Sequence, residues 1–204
     1  MMEVSFSTAA LFPRDTLDAM RLLKKAGFNH VELMPQCLYE TGPEFAEEAV
    51  NTGIGAGSIH FPLVFFSMLY NPCDRTKEAG INVALENSHR GITRDPEGLL
   101  QTVREIGREN LGPMLDVTES REAGIDPVEF LSNVKPVHIH LSDYGDTRKH
   151  LPVGKGSLDW EAIIDSLKDK GYEGLLVIEP SYRYFLENAL EELKNCLGFV
   201  EALL

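Results

Sequence analysis

The chain has 204 residues and carries 19 Lys and Arg against 32 Asp and Glu, a formal net charge of −13. That length holds one domain with a sizeable core, and that charge disfavours a sequence-independent grip on a phosphate backbone, so nucleic acid is not an expected partner. No run approaches the roughly 18 apolar residues of a membrane span, and the opening M-M-E-V-S-F-S-T-A-A-L-F has neither a basic region nor a long apolar stretch, so neither a membrane anchor nor a signal peptide is expected.

From the N-terminus, Glu3 to Thr8 sets Val4, Phe6 and Thr8 against Glu3, Ser5 and Ser7 and reads as a first strand. Asp15 to Ala26 places Leu17, Met20, Leu22 and Leu23 at helical spacing and stops at Gly27. His30 to Leu33 is a second strand with Glu32 near its end, and Pro43 opens a helix that runs to about Val50. Ala56 to Phe61 is the third strand, with His60 at its end. The following P-L-V-F-F-S-M-L-Y-N-P-C-D-R-T-K-E-A-G has room for a loop and one short crossover before strand four, Ile81 to Glu86. Asp95-Pro96 caps a helix with Leu99, Leu100, Val103 and Ile106 on one face. Strand five is Pro113 to Asp116, and Asp126-Pro127 repeats the cap for a helix holding Phe130 and Leu131. Strand six is Pro136 to Leu141, and a polar loop leads to a helix from Asp159 to Lys170 with Trp160, Ile163, Ile164 and Leu167 on one side. Gly174 to Glu179 is strand seven, and Tyr184 to Leu203 a closing helix.

No linker, low-complexity tract or charge block interrupts this series, so residues 1–204 read as a single domain. Cys37, Cys73 and Cys196 are odd in number and show no C-x-x-C spacing, which fits a reducing cytoplasm better than a disulfide framework or a zinc ribbon.

Four strand runs share one feature. N-V-A-L-E-N-S-H, P-M-L-D-V-T-E, V-H-I-H-L-S-D and L-L-V-I-E-P-S are each short and apolar, and each delivers a metal-capable side chain at its carboxyl end: Glu86, Asp116, His140 and Glu179. Strand, helix, strand with the chemistry always at one end is the pattern of a parallel α/β barrel of the TIM type, whose site gathers at the C-terminal rim. Metal or substrate binding is the functional reading, and a solvated rim the plain one.

The motifs I-H-F-P, A-L-E-N-S-H, M-L-D-V-T, H-I-H-L-S-D, H-L-P-V-G-K-G-S-L-D-W, G-Y-E-G and L-L-V-I-E resemble the xylose isomerase-like TIM barrels, a superfamily of sugar isomerases and epimerases, inosose dehydratases and endonuclease IV-type apurinic endonucleases. The resemblance implies that Glu86, Asp116, His140 and Glu179 are the four protein ligands of one divalent cation, Mn²⁺, Mg²⁺ or Zn²⁺. It also implies that Glu86 and Glu179 move protons on either face of a bound sugar, through an enediolate. Two departures stand out. The family usually carries another strand and helix between the I-H-F-P and L-E-N strands, where this chain is too short for both. Crossovers need only about a dozen residues, so the expected architecture is a barrel of about seven parallel strands, shortened by one β/α unit. Three residues after Asp116, where relatives commonly carry His, stands Glu119. The expected activity is a metal-dependent sugar or sugar-phosphate isomerase or epimerase. An endonuclease of the endonuclease IV type, or a barrel that binds a polyol or metal without turnover, are the alternatives.

Other residues carry paired readings. His60 and His150 are candidates to hydrogen-bond substrate hydroxyls, or are supporting histidines; Glu32 is a substrate-side carboxylate or a rim ion-pair partner. G-K-G-S at 154–157 lacks the P-loop spacing and reads as a turn capping the Asp159 helix, with Lys155 a candidate contact to an anionic substrate. His89 reads as loop. The aromatic stretch Phe61, Phe65, Phe66 and Tyr70 walls the pocket or covers a flank left by the missing unit, and an exposed flank would drive assembly into a homo-oligomer.

Overall fold

The computed structural model describes residues 1–60 and 70–204. Among them, strands alternate with helices along the chain: β1 (Glu3–Ser7), α1 (Thr16–Ala26), β2 (His30–Leu33), α2 (Pro43–Asn51), β3 (Gly55–Ile59), α3 (Tyr70–Lys77), β4 (Val83–Glu86), α4 (Pro96–Ile106), β5 (Leu111–Asp116), α5 (Val117–Glu122), α6 (Pro127–Asn133), β6 (His138–Leu141), α7 (Trp160–Asp169), β7 (Leu175–Ile178) and α8 (Ala189–Glu201). The seven strands expected from the sequence are present in parallel pairings, as a shortened TIM-type barrel requires. Phe61, Phe65 and Phe66 of the aromatic stretch read above as a pocket wall or flank cover lie outside the described residues, as does the side chain of Tyr70.

Two compact units are distinguished. In the first, residues 2–60, 141–158 and 175–204, β1 is flanked by β2 and β7, and β3 lies beyond β2. β7 is buried on both faces, which is why it reads as an apolar run: Leu176, Val177 and Ile178 are all without solvent contact, whereas β3 is mostly exposed. Phe6 packs edge-on against Phe28 and Phe185, each pair of ring centroids 5.4 Å apart. Gly27 ends α1 at φ +110°, a conformation that favours glycine, and an added Cβ would stand 3.2 Å from Leu197 of α8.

In the second unit, residues 70–140 and 159–174, β5 lies between β4 and β6. Leu99, Leu115, Phe130, Leu131, Ile139 and Leu167 make its core, each 0% exposed. The Asp-Pro pairs act as read: the Asp95 carboxylate accepts from Gly98 N–H and that of Asp126 from Val128 N–H. Asp15 and Asp159 cap α1 and α7 in the same way. Each such cap contributes about 1 kcal/mol.

Three details add to the sequence reading or change it. Ser5 and Ser7 are as buried as Phe6, so from Ser5 onward β1 is buried on both faces. The closing helix starts at Ala189 and not Tyr184, because Asn188 takes a left-handed conformation at φ +53° that separates α8 from a 3-10 turn at Tyr182–Phe185. And α5 follows β5 with no connecting loop, its first turn capped by the carboxylate of Asp116, the last strand residue.

Candidate metal centre

In the unit that holds β4, β5 and β6, the register pairs Asp116 with His140 across β5 and β6 and places Glu86 opposite Met114. Ligand atoms of Glu86, Asp116 and His140 all lie within 4.8 Å of one another. His140 Nδ1 stands 3.8 Å from Glu86 Oε1. Asp116 and His140 are each 2% exposed, whereas the Glu86 side chain is 36% exposed, so the group is open on the glutamate side. Burying a carboxylate costs several kcal/mol unless charge or hydrogen bonds offset it, and two carboxylates with one imidazole form a donor set that suits a divalent cation.

The backbone around this group is fixed by a residue that sequence reading passed over. Asn87, 0% exposed, accepts from the Asp116 N–H at 2.6 Å and donates to the Asp116 carbonyl at 3.2 Å. Its side-chain amide thus bonds Asp116 as a strand residue would, one step past the end of β4. Asp116 Oδ1 also accepts from Glu119 N–H at 2.9 Å, so the same carboxylate starts α5. The N in L-E-N was the available signal. In H-I-H, the two-residue strand period puts the His138 and His140 rings 5.4 Å apart, and of the two His140 is the buried one.

In the unit that holds β1, β2, β3 and β7, the carboxyl ends bring Glu32, His60 and Glu179 together. Register pairs Ser7 with Glu32 and Glu32 with Ser58. Ser58 Oγ donates to Glu32 Oε2 at 2.8 Å, and Ser7 Oγ donates to Glu179 Oε1 at 3.0 Å. His60 Nδ1 lies 3.3 Å from Glu179 Oε1 and 3.8 Å from Glu32 Oε1. Glu32 is 2% exposed, so its carboxylate is an internal group and not a rim charge. Ser7 and Ser58 were also missed; a serine at the buried carboxyl end of a strand, as Ser7 is on β1, is itself a signal, whereas Ser58 stands on the mostly exposed β3.

His150 sits at φ +48°, and its ring Nδ1 is 3.2 Å from Ser142 Oγ while its carbonyl accepts from Ser181 N–H at 2.8 Å. A left-handed non-glycine residue costs of order 1 kcal/mol, offset here by these contacts. The G-K-G-S turn is organised by Asp143, 1% exposed, which accepts from Tyr144, Gly154 and Leu158 N–H. A Cβ on Gly156 would fall on Asp143 Oδ1, so the glycine is required by close approach to the carboxylate. Lys155 is exposed on this turn, its charge reaching Cys196 of α8, whose buried thiol is pushed up to about 12, chiefly by burial.

Comparison with known proteins follows the same lines. Residues 65–199 match the sequence profile of a family described as the xylose isomerase-like TIM barrel. A protein of Methanocaldococcus jannaschii described only as uncharacterized is 32% identical over 144 residues, 66% of this chain and 49% of its own length. The chain spans about half the length of the curated relatives it matches. Among solved structures, a D-psicose 3-epimerase in the presence of D-fructose superposes with a TM-score of 0.79 at 16% identity, over 99% of both chains. An L-ribulose 3-epimerase gives 0.78 at 14%, over 100% of this chain and 94% of the other. An IOLI protein with a binding zinc atom gives 0.74 at 15%, over 99% and 98%. At these identities the likeness to solved structures is one of fold. With the profile matched over more than half of its residues and the strand–helix order to go with it, the chain belongs to the xylose isomerase-like TIM barrel family.

Proposed function

We propose that this chain is a divalent-metal-dependent sugar or sugar-phosphate isomerase or epimerase, with residues 1–204 working as one domain. One observation carries the reading: Glu86, Asp116 and His140, from the ends of three consecutive strands, converge within 4.8 Å. Glu179 is the fourth ligand in this proposal, as the family resemblance implies. Mn²⁺, Mg²⁺ or Zn²⁺ held there would polarise a sugar carbonyl and make the neighbouring C–H more acidic. The similar folds described as sugar 3-epimerases support a sugar as the substrate class.

The residues then divide the work. Glu179 takes the proton from the carbon beside the carbonyl, and the bond electrons move into an enediolate. Ser7 Oγ, 3.0 Å from its carboxylate, and His60, 3.3 Å away, hold Glu179 in the orientation for that transfer. Glu86, the more exposed glutamate, returns a proton to the opposite face. Glu32, His60 and His150 hydrogen-bond substrate hydroxyls, and Lys155 contacts an anionic group on a phosphorylated substrate.

The test is solvent exchange. A panel of ketoses and aldoses incubated with the protein and Mn²⁺ in D₂O is expected to take up deuterium at the carbon beside the carbonyl, and the Glu179→Gln variant to leave it unlabelled. Exchange that persists in Glu179→Gln would remove that residue from the mechanism. An absence of exchange with every sugar would remove the isomerase reading.

A further inference from the structure

We propose a second cation site in this chain, made by His89, Glu119 and Glu122, and distinct in all its residues from the group of Glu86, Asp116 and His140. His89 lies on the loop after β4, and the two glutamates lie three apart on α5, on one face of that helix. His89 Nδ1 stands 2.7 Å from Glu119 Oε2 and 3.6 Å from Glu122 Oε2, and donor atoms of all three residues fall within 4.8 Å of one another. The backbone N–H of His89 also donates to Glu119 Oε2 at 2.7 Å, which fixes the loop against the helix and holds the imidazole where the carboxylates meet.

Donors bound to one ion at about 2.1 Å stand about 3 Å apart, and the His89–Glu119 and His89–Glu122 separations of 2.7 and 3.6 Å bracket that spacing, so side-chain rotation within the cluster can close it on a metal. One imidazole and two carboxylates give three protein ligands, and the side chains are 24%, 16% and 12% exposed, partly buried but open to an entering ion and its waters. That combination of three nitrogen and oxygen donors with open positions suits Mn²⁺ or Zn²⁺. Two carboxylates this close repel each other, and a dication relieves the repulsion more fully than the single charge of a protonated imidazole. The carboxylate of Asp116 caps the helix that carries Glu119, so the two sites share a rigid base while keeping separate donors.

The probe is Mn²⁺ alone, because the exposed thiol of Cys37 would take up Zn²⁺ nonspecifically. Metal-free full-length protein is titrated with Mn²⁺, and the loss of the free-ion paramagnetic resonance signal counts what is bound. The wild type is expected to bind one equivalent more than Glu122→Gln and one more than His89→Ala, with all three melting cooperatively. Glu86→Gln, which weakens the other site, is expected to retain the equivalent that Glu122→Gln loses. That separates the two proposals: a failure of the Glu86 group leaves the His89 difference intact. Unchanged stoichiometry in both His89→Ala and Glu122→Gln would overturn the second site. So would a wild type that binds no Mn²⁺, and the cluster would then be an ion pair only.

Discussion

The carboxyl ends of β4, β5 and β6 and those of β1, β2, β3 and β7 present the same residue types, carboxylates and imidazoles, but hold them by different means. On the first set, Asp116 is fixed through its backbone: Asn87 takes both its N–H and its carbonyl, and one carboxylate oxygen is tied to the start of α5. On the second, Glu32 and Glu179 are held through their carboxylates by the hydroxyls of Ser58 and Ser7, which can rotate and change the direction of the hydrogen bonds they make. Donors whose backbone is pinned suit a group that must keep a metal at a fixed point, since ligand geometry is set by what surrounds the ligands. Carboxylates bonded to hydroxyls suit proton exchange, because the partner adjusts as the charge changes.

The division can be broken from either side. The largest effect is expected from Glu179→Gln, which should lower the rate of deuterium exchange by at least about 10²-fold while leaving the thermal unfolding midpoint within error. Its amide oxygen can still accept from Ser7, so the fold keeps that contact. Asn87→Ala should act on stability first. It leaves the Asp116 N–H and carbonyl, both in a buried environment, without the amide that bonds them, a loss of about 2 to 4 kcal/mol in urea unfolding and a matching fall in metal affinity. A midpoint unchanged by Asn87→Ala would show that Asp116 is not pinned as described. Ser58→Ala takes one donor from the buried Glu32 carboxylate and should cost about 1 to 2 kcal/mol with metal affinity unaltered. If Ser58→Ala weakened metal binding as much as Asn87→Ala, the contrast between the two sets would fail. The smallest effect is chemical: iodoacetamide at about pH 8 should label the exposed Cys37 and spare Cys73 and Cys196, whose thiols burial pushes up. Mass spectrometry of the labelled peptides reads this directly.

Much of this was legible in the sequence, for reasons that particular residues make plain. The Asp-Pro pairs at 95–96 and 126–127 mark helix starts because a cap and a first-turn proline are local devices, independent of tertiary contacts. Asp116 and His140 were legible because a parallel strand buried on both faces has little use for a charge, so a charged or imidazole side chain at its end stands out, and Glu86 because it ends a short apolar run, although β4 is only partly buried. The alternation located β1 but not its burial, since Ser5 and Ser7 pattern like a solvent face and are fully buried. Nor could periodicity find α5, whose six residues begin at the strand's last position with no turn signal between. Asn87, Ser7 and Ser58 escaped for a different reason: each acts on a residue brought near only by strand pairing, and no spacing along the chain encodes that. His89 read as loop on the same ground, its partners Glu119 and Glu122 lying about thirty positions on in the next strand–helix unit.

The central claim is that one ion is bound by Glu86, Asp116 and His140. Crystals grown with Mn²⁺ and measured at a wavelength where manganese scatters anomalously test it most directly. The account predicts an anomalous peak within bonding distance of a carboxylate oxygen of Glu86, one of Asp116 and a ring nitrogen of His140. A map with no peak there, or with manganese bound only at other residues, would contradict it.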